Sequence, residues 1–181
     1  MDTAFGFSVY VRSFRLSLSV EGLKPHTVRC YVRDVERFVA HYGGDNPKNV
    51  SRTDIRAYVL DLQGRRAAKT VYEAQLALRR FFRFLQDEGD ISEDPTRAVK
   101  LTRYRVDPQP TYTVAEVKRL MMACNQSTLP GLRDHAMVMV LFDTGVREGE
   151  LVSMTVPDWD RRQVTVDGKG GVRVVPLGTA A

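Results

Sequence analysis

Arg147 and Glu150 stand three residues apart, just past an uncharged run from Ala136 to Phe142 that ends at Asp143-Thr144-Gly145. About twenty residues further on, Lys169 lies in a Gly168-Lys-Gly-Gly171 turn between two β-prone runs. An arginine offers a planar fork of donors matched to two phosphate oxygens. A lysine on a hairpin tip can carry a proton to a leaving oxygen. The two together suit the gripping and protonation of a phosphodiester. Arg147 is also placed to open a short helix, where unpaired N–H groups and the positive dipole end welcome an anion. Each residue has a plainer reading beside this one. Arg147 and Glu150 describe an ordinary surface bridge of small energy, and exposed turn lysines are common without any role. Spacing alone leaves both readings open.

Other chemistries find no support. His26, His41 and His135 lack metal-ligand spacing, so no metal site is expected. No Ser-His-Asp or Cys-His arrangement can be assembled on local grounds. The glycine turn at 168–171 is not a nucleotide-binding loop, because it lacks the GxxxxGK[ST] pattern and a following helix. Cys30 and Cys124 each fall in a helical pattern and read as buried free thiols of a reducing compartment.

These residues need elements to hold them. In the first half, Phe7, Tyr10, Val11 and Phe14 mark a helix that runs out before Glu21-Gly22. Pro25 opens a second, with Tyr31, Val35, Phe38, Val39 and Tyr42 on one stripe and Gly43-Gly44 as its stop. Ser51 and Asp54 start a third, whose face is Ile55, Tyr58, Val59 and Leu62. A fourth spans about 68–88, with Leu78, Phe81, Phe82 and Leu85 inward and Gly89 as terminator. Four amphipathic helices of this kind make a bundle of about ninety residues. Residues 99–110, VKLTRYRVDPQP, are basic and carry two prolines, and they read as an extended linker or as a strap along a phosphate backbone.

Beyond the linker, Thr113 and Glu116 form a capping box for a helix carrying Val117, Leu120, Met121 and Cys124 inward, with Met121 and Met122 as core filler. Leu129-Pro-Gly131 is expected to break the chain. Arg133-Asp134 then begins the most apolar helix, expected to be buried. A short helix follows from about Arg147 to Met154. After Pro157 the apolar residues alternate at Val164, Val166, Val172 and Val174 about the glycine turn, as in a hairpin whose glycines supply positive φ.

The 181 residues are 43% hydrophobic and 27% charged, as in soluble globular proteins, with no apolar run long enough to span a membrane and no secretory signal. Net charge is +5, and it is unevenly placed: residues 1–110 hold 19 Lys/Arg against 14 Asp/Glu, and the rest holds 8 of each. A basic module joined to a neutral one suits a polyanion held by the first and handled by the second. Lys24, Arg29, Arg33 and Arg37 flank the second helix stripe, and Lys69, Arg79, Arg80 and Arg83 flank the fourth. A solvated helix face and a nucleic-acid face both fit that pattern.

At this point the sequence resembles a known family, the tyrosine recombinases of phage integrases and chromosome-dimer resolution enzymes. Thr144-Gly-Val-Arg-Glu-Gly-Glu-Leu151 is similar to the family's first-arginine box, TGLRxxEL. Gly168-Lys-Gly-Gly-Val-Arg-Val-Val-Pro-Leu177 is similar to its hairpin, GKGxKxRxVPL, one residue short. Thr27-Val-Arg-Cys-Tyr31, Leu78 to Leu85 and Asp94-Pro95 follow its core-binding module.

The resemblance implies a mainly α fold: a four-helix, SAM-like core-binding domain at 1–98, a basic linker at 99–110, and at 111–181 an incomplete mixed α/β catalytic domain with a β-hairpin. It implies that Arg147 binds a scissile phosphate, that Glu150 supports it, and that Lys169 protonates the leaving 5′ oxygen. Duplex DNA contacts would come from Lys24, Thr27, Arg29, Lys69, Arg79, Arg80, Arg83, Arg103 and Arg105. The reaction would need no cofactor, because a tyrosine stores the bond energy in a 3′-phosphotyrosine link. The partners implied are double-stranded DNA and further copies in a tetrameric synapse. The setting implied is cytoplasmic and nucleoid-associated, with no membrane.

The family's HxxR box, its later His or Trp and its nucleophile find no match here, and none of the seven tyrosines stands where that nucleophile would be. Glu148 also puts a negative charge beside Arg147. The expectation is an N-terminal portion of a recombinase, inactive by itself. The alternatives are a non-catalytic decoy or accessory factor at a recombination site, and a helical protein–protein module without DNA.

Overall fold

The computed structural model of the chain describes residues 6–155, 160–168 and 170–178. It divides at Asp107/Pro108 into two compact units. The first holds α1 (Phe7–Val20), α2 (Pro25–Tyr42), a 3-10 turn at Pro47–Asn49, α3 (Arg52–Gln63) and α4 (Ala68–Asp87). The second holds α5 (Val114–Ala123), α6 (Leu129–Thr144), α7 (Glu148–Val152), β1 (Gln163–Gly168) and β2 (Gly171–Pro176). The chain is mainly α with one hairpin, as the resemblance implies.

The first unit is organised around α4, which packs against α1, α2 and α3. Three neighbours demand a wide apolar face, and α4 buries Val71, Ala74, Ala77, Leu78, Phe81, Phe82 and Leu85. Phe81 and Phe82 join the helices through ring edges: Phe14 to Phe81 at 5.3 Å between centroids and Phe38 to Phe82 at 5.9 Å. Such pairs add about 0.5–1.5 kcal/mol beyond area burial. The helix ends follow local chemistry. Pro25 sits in the first turn of α2, and Gly43 ends it at φ 71°, a left-handed conformation that only glycine takes cheaply. Ser51 accepts from the Asp54 N–H while Asp54 accepts from the Ser51 N–H, closing the N-terminus of α3.

In the second unit Thr113 and Glu116 form the expected capping box. The Glu116 carboxyl is held below its ordinary pKa by the Thr113 N–H and hydroxyl that it accepts from. Three other expectations need correction. Leu129-Pro-Gly131 does not break the chain but forms the first turn of α6, capped by the Thr128 hydroxyl. Proline costs nothing there because its missing N–H had no partner to lose. Gly131 is required by packing, since a Cβ would stand 1.9 Å from the Asn125 carbonyl oxygen.

Burial of the apolar helix α6 also fails: Leu129, Leu132 and Phe142 are 83%, 48% and 54% exposed. It packs on α5 and α7, two short helices that cannot cover a surface apolar on nearly every side. On α5, Val117 is buried and Met121 and Cys124 are half-buried, but Leu120 and Met122 face solvent, so Met122 is not core filler. The core here is small: Val146, Val164, Val166 and Leu177, with Val140, Leu151, Met154 and Val175 against them.

The hairpin is antiparallel, with Val164 opposite Val175, Val166 opposite Arg173 and Gly168 opposite Gly171. The alternation of Val172 and Val174 proves to be the outer face, for both are exposed. A two-residue loop pairs even-numbered positions of β1 with odd-numbered ones of β2. Arg173 and Val175 therefore share the inner face with the buried Val164 and Val166. Of the turn glycines Gly171 has positive φ, at 97°, whereas Gly168 does not. No helix among the described residues is long and apolar enough to cross a membrane.

Candidate functional site

α6 ends at Gly145 in the left-handed conformation, φ 63°, whose N–H bonds back to Leu141. Two residues later Arg147 is extended and serves as N-cap of α7. This sharp exit presents the Arg147 side chain to solvent, 72% exposed, while Glu150 one turn on is turned inward with its side chain 3% exposed. The Glu150 carboxylate is the hub. Arg173 donates to it through both terminal nitrogens at 2.7 Å, the Arg147 backbone N–H at 2.9 Å and Arg147 Nη1 at 3.1 Å. A buried carboxylate with a bidentate guanidinium is strongly favoured as the anion. Its pKa is lowered to about 2, chiefly by Arg173, then by the Arg147 N–H, with burial opposing them.

Of the N–H groups at the start of α7, that of Arg147 is already occupied by the chain's own carboxylate, and a five-residue helix has little dipole to add. Nor is Arg147–Glu150 a plain surface bridge, because the carboxylate is buried and Arg173 holds it more fully than Arg147 does. Two guanidiniums share one carboxylate, so the cluster keeps a net positive charge. Arg147 is the more exposed of the two, 72% against 42% for Arg173, and it gives the carboxylate one side-chain bond where Arg173 gives two, so it is the better placed to meet an external anion.

Arg173 lies within the hairpin motif but is not among the site residues that the sequence predicts. In sequence it stands between Val172 and Val174, which puts it on the polar face of a strand, and only the hairpin register turns it toward Glu150. Gly168 completes the brace. A Cβ there would lie 2.0 Å from Glu150 Oε1, so the hairpin can seat under the carboxylate only without a side chain. At its open end the hairpin is tied by the Gly178 N–H to Asp143 Oδ2 at 2.6 Å and the Leu177 N–H to the Arg162 carbonyl at 2.7 Å. Lys169, the expected proton donor, lies outside the described residues, though both loop-closing neighbours, Gly168 and Gly171, are placed. Glu148 is exposed on the first turn of α7.

The candidate DNA contacts fall in the first unit. Lys24 precedes α2 and Arg29 lies on it, both exposed, with Thr27 half-buried in its first turn. Lys69 and Arg83 are exposed on α4, with Lys69 reaching Glu73 at 3.9 Å. Arg79 and Arg80 have inward commitments. Arg79 Nη2 donates to the Val99 carbonyl at 2.6 Å. Arg80 pairs with Glu21 and lies 5.2 Å over the Tyr31 ring, between α1 and α2. Arg33 and Arg37 flank the buried Asp34, each at 3.2 Å. Arg103 and Arg105 are exposed in the segment leaving the unit.

Known proteins share the sequence and the fold of this chain. Residues 11–89 match the model of the phage integrase N-terminal SAM-like domain, and residues 111–181 match that of the phage integrase family. The chain is 31% identical over 180 residues to tyrosine recombinase XerD of Listeria monocytogenes, covering 94% of this chain and 61% of that protein. It is 34% identical over 180 residues to tyrosine recombinase XerC of Roseiflexus castenholzii, covering 94% and 57%. It thus spans about 60% of the length of these curated relatives. Among solved structures, a lambda integrase tetramer bound to a Holliday junction superposes with a TM-score of 0.76 at 20% identity, over 94% of this chain and 50% of that one. SAM-like bundle, first-arginine box and glycine hairpin occur in the family's order, and the chain belongs to the phage integrase family of tyrosine recombinases.

Proposed function

We propose that these residues form the DNA-gripping and first-arginine portion of a site-specific recombinase. The first unit holds duplex DNA through backbone phosphates, with Lys24, Thr27, Arg29, Lys69, Arg83, Arg103 and Arg105 as contacts and Arg79 and Arg80 at the edge of that face. In the second unit Arg147 holds the scissile phosphate and stabilises the charge that develops on it. Glu150 and Arg173 are positioning residues that fix the Arg147 backbone and the hairpin. Lys169 protonates the leaving 5′ oxygen. Strand exchange through a 3′-phosphotyrosine link, within a tetrameric synapse on duplex DNA, is the activity of the complete enzyme. The observation that carries this reading is the two-arginine, one-carboxylate cluster with Arg147 facing solvent.

The test is duplex binding by fluorescence anisotropy across a range of NaCl. Phosphate contacts make log K fall linearly with log salt, with a slope of about −0.9 per phosphate neutralised. Arg147→Ala is expected to flatten that slope by about one contact. No covalent DNA adduct is expected from the chain alone on a nicked suicide duplex. Salt-independent binding, or an Arg147→Ala variant identical to the parent, sinks the proposal. If the chain blocks a complete recombinase at its site without ever forming an adduct, the decoy reading gains.

A further inference from the structure

Gln75 lies on α4 with only 3% of its surface exposed, among Leu78, Val71 and Ala74. A buried amide must find partners or cost stability. Its partners are neither helix nor side chain. Gln75 Nε2 donates to the Lys100 carbonyl at 3.0 Å, and its Oε1 accepts from the Thr102 N–H at 2.7 Å. The carbonyl of one residue and the N–H of the second residue after it are the pair that a parallel neighbouring strand would bond. Gln75 therefore reads the backbone of 100–102 as an adjoining strand would.

Three more contacts extend the seam. Arg79 Nη2 donates to the Val99 carbonyl, Gln63 Nε2 donates to Thr102 Oγ1 at 3.1 Å, and the Tyr72 and Tyr104 rings lie 5.0 Å apart. Val99 is buried beneath, 8% exposed. Residues 100–113 have no helix or strand of their own, yet the part to Tyr104 is held along α3 and α4 by side chains. Lys100 and Arg103 remain exposed on this held segment.

We propose that Gln75, with Arg79, is a latch that turns residues 99–104 from a tether into a rigid strap, so that Lys100 and Arg103 meet duplex phosphates already in place. This rests on the duplex-binding reading above and adds the means by which the strap's charges are preorganised. A free strap would have to be ordered at the moment of binding, which weakens affinity without changing how many phosphates are neutralised. Arg79, for its part, acts on DNA through the strap rather than by touching phosphate.

That separation supplies the experiment. Duplex affinity is measured at several NaCl concentrations for the parent, Gln75→Leu and the double variant Lys100→Ala with Arg103→Ala, alongside a trypsin time course. Gln75→Leu is expected to bind about three- to tenfold more weakly at every salt with the slope unchanged. The double variant is expected to flatten the slope by about two contacts. Trypsin is expected to cut after Lys100 and Arg103 faster in Gln75→Leu than in the parent. Should Gln75→Leu lose its helical circular dichroism, Gln75→Glu replaces it, keeping the acceptor for Thr102 and losing the donor to Lys100. Equal cutting in parent and variant overturns the latch. Faster cutting with unchanged affinity overturns its role in binding. A parent that binds duplex without salt dependence overturns the duplex reading, while the trypsin result still decides the latch.

Discussion

Glu150 shows how one side chain converts sequence neighbours into a site. Its carboxylate joins α7 to β2, and its depressed pKa should be readable directly. The side-chain carboxyl of Glu150 should titrate near 2 by carbon-detected NMR in the parent, and Arg173→Ala should move it back toward the ordinary value of about 4.3. The sign for stability follows. A carboxyl whose folded pKa lies below its unfolded one contributes fully above about pH 4.3, and that contribution is lost as pH falls toward 2. Urea midpoints across this window should fall more steeply for the parent than for Glu150→Gln; equal slopes would remove the buried-anion account. Gly168 is the second residue-scale case. Gly168→Ala forces a methyl group against Glu150 Oε1, with an expected loss of about 1–3 kcal/mol in the second unit by urea unfolding.

Among the elements, α4 carries the first unit because three helices share it. Phe81 is fully buried and in ring contact with Phe7, Phe14 and Phe82. Phe81→Ala should cost about 3–5 kcal/mol by denaturant melting. Ser51→Ala, which removes one half of a cap at the surface, should cost about 1 kcal/mol. An order reversed between these two would mean that α3, rather than α4, limits the bundle. The hairpin teaches a different lesson. Its valines can be read as strands from composition, but which face each strand buries depends on the loop length between them. Val172 and Val174 were the conspicuous pair, and they point outward.

At the scale of the molecule, two chemically unlike surfaces stand out. The first unit holds the surplus positive charge, which favours phosphate without specifying sequence. The second exposes Leu129, Leu132, Leu141 and Phe142 on α6, with Met122 on α5 and Val172 and Val174 on β2 also bare. Bare apolar side chains in such numbers favour self-association. Sedimentation velocity should therefore show mass rising with protein concentration, and Phe142→Glu should lower it. A chain monomeric at every concentration would mean that this surface is too dispersed to act as a patch.

The elements and the family were legible from sequence because they rest on local rules. Helix stripes at 3.6-residue spacing, capping boxes at Ser51 and Thr113, and a terminating Gly43 depend on near neighbours, and so do the two motif boxes around Arg147 and Lys169. Tertiary structure alone decided what long-range pairing decides. It turned Arg173 onto the inner hairpin face beneath Glu150, closed the linker against Gln75, drew Arg79 and Arg80 into internal contacts, and left α6 uncovered. An apolar pattern states that a helix wants a partner, whereas burial requires that a partner of sufficient width stand opposite it. A charged residue likewise states its chemistry in sequence, but whether that charge faces phosphate, carboxylate or water is fixed by which distant residue the fold brings within 3 Å.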